Sequence, residues 1–320
     1  MTPNMNPGNH IEPLNVGNVV SAAVLIYRSH FKSYFSIALI ATLWVLLPIL
    51  TLIPILLGLF FTYGINQLPL FFWLLVPIWL LLLVYCIAKY IVNSVLIARL
   101  AFGELITQPE NVNTARSYVN PRMWLFVLAT LLTSLIVVGI EFAVLMVIFF
   151  AGVTLGVFGA GAAVRNPGII AILVLLGIIS FIACLALISW LGMRFCLLEL
   201  PIAIENNVGP VAAIGRSWEL TKGYVWQIFL VYIVAYLVSL PIVIITRLVT
   251  SIITSISPSI SSSNSSAVTL MVPLFLISAV IGLLSNILIL PFWQIVKAII
   301  YYDLRSRREG FGLQLRNPGY

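Results

Sequence analysis

The strongest constraint on this chain is a set of six apolar runs, near residues 35–61, 70–98, 124–157, 168–195, 225–255 and 268–300. Each exceeds the roughly 20 residues that carry an α-helix across a bilayer core. Only helices and closed barrels satisfy the backbone's hydrogen bonds inside hydrocarbon. Barrel strands alternate apolar and polar positions over about ten residues, and Leu80-Leu81-Leu82-Leu83-Val84 does not alternate. The expected fold is therefore an all-α integral membrane protein with six transmembrane helices. Composition agrees, with 62% hydrophobic and 8% charged residues and a mean hydropathy of +1.16, where soluble domains carry about 25% charged residues.

Polar stretches punctuate the runs, the richest being 194–226. It leaves one run at Arg194 and Glu199, breaks at Pro201, resumes after Gly209-Pro210 as a short amphipathic helix, and meets the next run at Tyr224 and Trp226. Three approaches to apolar runs share an Arg-Ser pair, Arg28-Ser29, Arg116-Ser117 and Arg216-Ser217, followed six to eight residues later by Tyr34, Trp124 and Tyr224. Two exits also match, Arg99-x4-Glu104-Leu105 and Arg194-x4-Glu199-Leu200. The expected organisation is three repeats of interfacial amphipathic helix plus two-helix hairpin, about 15–106, 107–200 and 201–310, with a period near 95 residues. A disordered tail over 1–14 and a C-terminal tail over 311–320 flank them. Two spans per repeat leave all three pointing the same way. Val16, Val19, Val20, Ala23, Val24 and Tyr27 recur on one helical face, the pattern of a helix lying on a membrane surface.

The net charge is +7. Placing both termini on one side puts fourteen of the sixteen Lys and Arg residues there and leaves Arg165 and Arg247 toward the other. The positive-inside rule makes that side cytoplasmic. The expectation is a multi-pass protein of a bacterial-type cell membrane with both termini in the cytoplasm. Because the basic residues cluster at helix ends, anionic lipid headgroups are the expected counter-charge, not nucleic acid.

The cytoplasmic belt holds the main candidate site, Arg99, Glu104, Arg116, Arg194, Glu199, Arg216, Trp218, Glu219, Lys222, Asp303, Arg305, Arg308 and Glu309. Closed into a ring, these residues would form a charged mouth for a phosphate headgroup or a partner protein. Glu141 lies about 25 Å into the membrane half, at about 1.5 Å per residue beyond Trp124. Ionisable groups at such depth count as functional candidates. A Glu141–Arg247 pair lining a cavity is one reading, and two unpaired groups reaching the outer interface is the other. Gly152-x3-Gly156, with Gly159 and Gly161, allows close helix approach. No cofactor or metal is expected, since His10 and His30 are far apart and Cys86, Cys184 and Cys196 show no Cys-x-x-Cys spacing. Catalysis lacks a nucleophile–base pair within the spans and a Gly-rich phosphate loop.

Several motifs carry a resemblance: Leu14-Asn15-Val16-Gly17 leading to Tyr27-Arg28, Glu205 through Gly209-Pro210, Arg216-Ser217-Trp218-Glu219-Leu220-Thr221-Lys222-Gly223, and the run from Tyr301-Tyr302-Asp303-Leu304-Arg305 to Arg308-Glu309-Gly310-Phe311-Gly312-Leu313. Together they resemble the glycerophosphoryl diester phosphodiesterase membrane-domain family, over nearly the whole chain. Gly312 departs from it, since the family commonly has an acid there. Some relatives join this module to a soluble phosphodiesterase barrel, which the residues to Tyr320 do not contain, so the resemblance implies the membrane part and not the enzyme. The expected function is a non-enzymatic membrane protein that binds lipid headgroups or a partner protein at its cytoplasmic face. The alternative is a transporter or channel for a lipid-derived or small anionic solute.

Overall fold

The structure is a computed structural model, and its backbone is described for residues 16–62, 70–163, 167–255 and 266–310. The tails, the loop after Thr62, Arg165, the Ser-rich loop and Gly312 lie outside the described residues, as do the surroundings of Gly156, Gly159 and Gly161. Those described fold into helices with no strand among them: α1 (Val16–Ser29), α2 (Phe31–Thr62), α3 (Leu70–Leu105), α4 (Val112–Val119), a 3-10 turn (Asn120–Arg122), α5 (Met123–Ala163), α6 (Pro167–Phe195), α7 (Glu199–Ile204), α8 (Pro210–Thr221), α9 (Val225–Ser255) and α10 (Ser266–Glu309). Six of them, α2, α3, α5, α6, α9 and α10, are long and apolar enough to cross a membrane. The protein is thus an all-α, multi-pass membrane protein.

The chain divides into two compact units, residues 1–126 with 226–320, and residues 127–225. In the first, α2 and α3 run antiparallel, held by the Trp44–Tyr85 ring contact and by Trp79 Nε1 donating to the Pro48 carbonyl at 3.1 Å. α10 lies parallel to α3, with Gln294 against Ser94 and Tyr301 against Phe102. Lipid removes most of the hydrophobic drive for helices to associate, so close packing must supply it. The fully enclosed Ala38 and Ala41 of α2, Ala88, Ala98 and Ala101 of α3 and Ala298 of α10 permit that approach. Every residue from Val92 to Ala98 is buried.

α1 packs on α10, burying Val19, Val20 and Ala23, and Tyr27 donates its hydroxyl to the Leu288 carbonyl at 3.1 Å. Val24, expected on the same face, is 41% exposed. The helix is docked on protein along a narrower stripe than its pattern suggested. α9 is antiparallel to α10 through the Tyr232–Trp293 contact and the Thr246–Ser285 hydroxyl pair, and buries Ile228, Val231, Ala235 and Ser239 at helical spacing.

In the second unit α8 packs on α6 and α7, burying Ala213, Ser217, Leu220 and Thr221. The break expected at Pro201 falls elsewhere: Pro201 sits inside α7, its carbonyl accepting from Glu205 N–H at 2.9 Å. Proline is tolerated in a first helical turn, where its missing N–H has no partner to lose. α8 does begin at Pro210, as expected. The long helices α5 and α6 keep Leu135, Val147 and Phe181 at least 65% exposed, a surface suited to hydrocarbon and not to water.

Candidate functional site

In the first unit Arg99 is the centre of the helix-end cluster. Its Nε and Nη2 donate to the two Glu110 carboxylate oxygens at 2.8 and 2.7 Å, the two-pronged geometry that makes such pairs strong. Its guanidinium also lies 3.8 Å from the centre of the Tyr118 ring, and that of Arg122 lies 3.9 Å from the same ring. Local backbone geometry produces this. The chain folds back at Gly103, whose carbonyl accepts from Gln108 N–H, and a Cβ there would stand 2.9 Å from the Gln108 oxygen. Asn111 then caps α4 by accepting from Asn113 N–H. Glu110 returns beside Arg99 as a result. Glu104 stands 3.4 Å from His30 at the joint between α1 and α2.

At the end of α10, Arg307 donates to Asp303 at 2.6 and 3.0 Å, and Arg305 to Glu309 at 2.8 Å. These pairs follow one helix at four-residue spacing, each worth a few tenths of a kcal/mol at a surface. Arg308 is exposed in the last turn. Arg116, on α4, makes no ion pair among the described residues.

The second unit builds a related cluster around Arg194, near the end of α6. Its guanidinium lies 5.0 Å from the Trp190 ring and 4.6 Å from the Trp218 ring, and Nη1 donates to the Trp218 carbonyl at 3.2 Å. Ser217 and Thr221 donate their hydroxyls to the Arg194 carbonyl at 2.9 and 3.3 Å. Arg216 pairs with Glu205 at 3.3 Å. Glu199 opens α7 and Lys222 is exposed beyond α8, where Gly223, at φ 85, turns the chain toward α9. Glu219 is exposed and makes no ion pair among the described residues.

Sequence reasoning missed Tyr118, Glu110, Arg122, His30, Trp190, Glu205 and Arg307 as cluster members. Two signals were present. The aromatic that receives the exit arginine directly follows the Arg-Ser pair, Tyr118 in one unit and Trp218 in the other. Both exit arginines are also followed eleven residues later by an acid, Glu110 and Glu205, although Glu110 binds Arg99 while Glu205 binds Arg216. No protein-family model matches the chain, and no curated protein or solved structure matches it.

Charges within the apolar helices complete the picture. Trp226 is 77% exposed and lies about 9 Å before Tyr232 along α9, at about 1.5 Å per residue. Tyr232 packs on Trp293, beside the Gln294 that touches Ser94, and Ser94 is about 7 Å before Arg99 along α3. Trp226 and Arg99 therefore share one level. Exposed Trp124 lies two residues beyond Arg122, which meets Arg99 on Tyr118. On the same rise, Arg247 is about 30 Å from that level, and Glu141 is about 28 Å along α5 from Arg122. Among the described residues neither makes an ion pair.

Lys89 lies within the apolar stretch of α3, about 15 Å along the helix from Arg99. It is half-buried, and its Nζ is turned toward the start of α3, 5.6 Å from the Tyr85 ring centre. A central lysine costs about 3 kcal/mol even on insertion scales. A desolvated cation–π contact returns about 2 kcal/mol.

Proposed function

We propose that the protein binds anionic lipid headgroups at its cytoplasmic face, through the basic and aromatic belt at its helix ends. The observation that carries this reading is the outer face of α8, where Val211 and Trp218 are 73% and 38% exposed beside exposed Lys222. The opposite face of that helix is buried in its own unit. A helix anchored on one side, with an apolar stripe and a cation on the other, fits the headgroup boundary of a bilayer. In the first unit, exposed Trp124 and Trp226 stand level with its arginine cluster, which supports a headgroup belt there as well. The positive-inside rule makes this boundary cytoplasmic, with both termini on that side of a bacterial-type membrane. Within the first unit, one hydrocarbon thickness of about 30 Å then carries Arg247 to the outer interface.

The threefold repeat and the phosphodiesterase membrane-domain resemblance belong to this proposal. Supporting the repeat, each short helix leans on the second span of a pair: α4 on α3 and α8 on α6, the pairs that precede them, and α1 on α10 of the last pair. In two of the three, an exit arginine meets the aromatic after Arg-Ser. The role is read as binding and not catalysis, because Arg99, Arg194, Arg216, Arg305 and Arg307 are engaged by acids or ring faces, while Lys222 and Arg308 are exposed at helix ends.

The test is native mass spectrometry of the purified protein with matched anionic and zwitterionic phospholipids. The anionic lipid is expected to be retained, and Lys222→Gln and Arg308→Gln each to weaken retention about fivefold, as expected of one basic residue near an anionic surface. Retention of a second protein in place of lipid, or equal retention of both lipids, overturns the reading.

A further inference from the structure

We infer that the face of α3 formed by Ile78, Leu81, Tyr85 and Lys89 docks a transmembrane helix of another protein that carries a carboxylate near mid-span. These positions fall on one side of the helix at three-, four- and four-residue steps. Ile78 is 63% and Leu81 73% exposed, Tyr85 is 38% exposed beside its contact with Trp44 of α2, and Lys89 is half-buried, so the face is open at its apolar end. It is not a plain lipid-facing surface, because it ends in an ammonium group half-way through the hydrocarbon.

The depth of Lys89 separates the possible occupants. Its Nζ lies over Tyr85, one turn nearer the start of α3, where helical side chains ordinarily lean, so its distance from the boundary and not its tilt decides what can reach it. Lipid phosphates and carboxylates stay about 15 Å away in either leaflet, given a core of about 30 Å. A second copy offers Glu141 as its acid within an apolar run, and that group stands near the far boundary, about 28 Å along α5 from Arg122. A peptide helix with its own buried acid is the occupant that brings opposite charge to this depth, where ionisable side chains pair with one another. The inference needs only that α3 crosses the bilayer with Arg99 at one boundary, so it stands apart from the headgroup reading.

The probe is a polyleucine helix of about 20 residues with one central Glu, compared with the same helix carrying Gln, each labelled for energy transfer to the full-length protein in zwitterionic bilayers. The Glu helix is expected to bind about tenfold more tightly than the Gln helix. That preference is expected to vanish in Lys89→Gln, to persist in Lys89→Arg, and to vanish when the Glu is moved to one end of the probe. The thermal midpoints of both variants establish that they are folded. Equal binding of the two helices, or a preference that survives Lys89→Gln, overturns the inference. So does a preference that disappears when anionic lipid replaces the zwitterionic lipid, which would assign Lys89 to headgroups.

Discussion

Ser217 donates its hydroxyl to the main-chain oxygen of Arg194 across a 2.9 Å hydrogen bond, and Thr221 reaches the same oxygen from one turn further along α8. The last carbonyls of a helix have no partner within it. Here α8 supplies one from outside, and both hydroxyl-bearing residues are fully enclosed. The contact joins a short surface helix to the end of a long apolar one, and so sets where Trp218 and Lys222 stand.

Ser217→Ala is expected to destabilise the protein by about 1 kcal/mol, the net worth of one such bond plus the exposed cost of its partner. Ser117→Ala, at the matching place in α4, is expected to change stability by less than about 0.5 kcal/mol, because Ser117 is exposed and bonds only the Thr114 carbonyl of its own helix. Thermal unfolding in one detergent compares the two. Equal losses would show the two Arg-Ser pairs to be interchangeable.

Inside the first unit Gln294 Nε2 donates to Ser94 Oγ, while Gln294 Oε1 is enclosed without a hydrogen-bond partner. Ser94→Ala is therefore expected to cost about 1–3 kcal/mol, because it strands the other end of the amide as well. The double variant Ser94→Ala with Gln294→Met is expected to recover most of that loss. A double variant as unstable as the sum of the single ones would mean that the two side chains act independently.

Burial pushes the Tyr27 hydroxyl up to about 12, against about 10 in an unfolded chain. The folded state thus holds this proton more tightly than the unfolded one. Its contribution is complete below about pH 10 and is lost as pH rises toward about 12. Stability measured across that window is expected to fall less steeply in Tyr27→Phe than in the parent protein. At neutral pH the variant is expected to lose about 1 kcal/mol with the bond to Leu288. Identical alkaline slopes would contradict the assignment.

Much of the architecture was legible in local composition. Apolar runs located α2, α3, α5, α6, α9 and α10, and Gly209-Pro210 located the start of α8. Pro201 misled because a proline breaks a helix interior but is at home in a first turn, and nothing nearby in the chain distinguishes the two. Lys89, counted in the sequence with the basic residues of one face, sits ten residues before Arg99 in α3, and its contact with Tyr85 is visible only in the structure.

By itself the sequence determined that the chain crosses a membrane, how often, and which helix ends carry the cations, because transfer of apolar side chains into lipid depends on each segment's own composition. The tertiary structure alone decided which charges meet. Glu110 and Glu205 follow their exit arginines at the same distance, yet one binds Arg99 and the other Arg216. The turn at Gly103 brings the first acid straight back, whereas α7 intervenes before the second. Attraction between charges falls off with distance through space, and chain separation does not measure that distance.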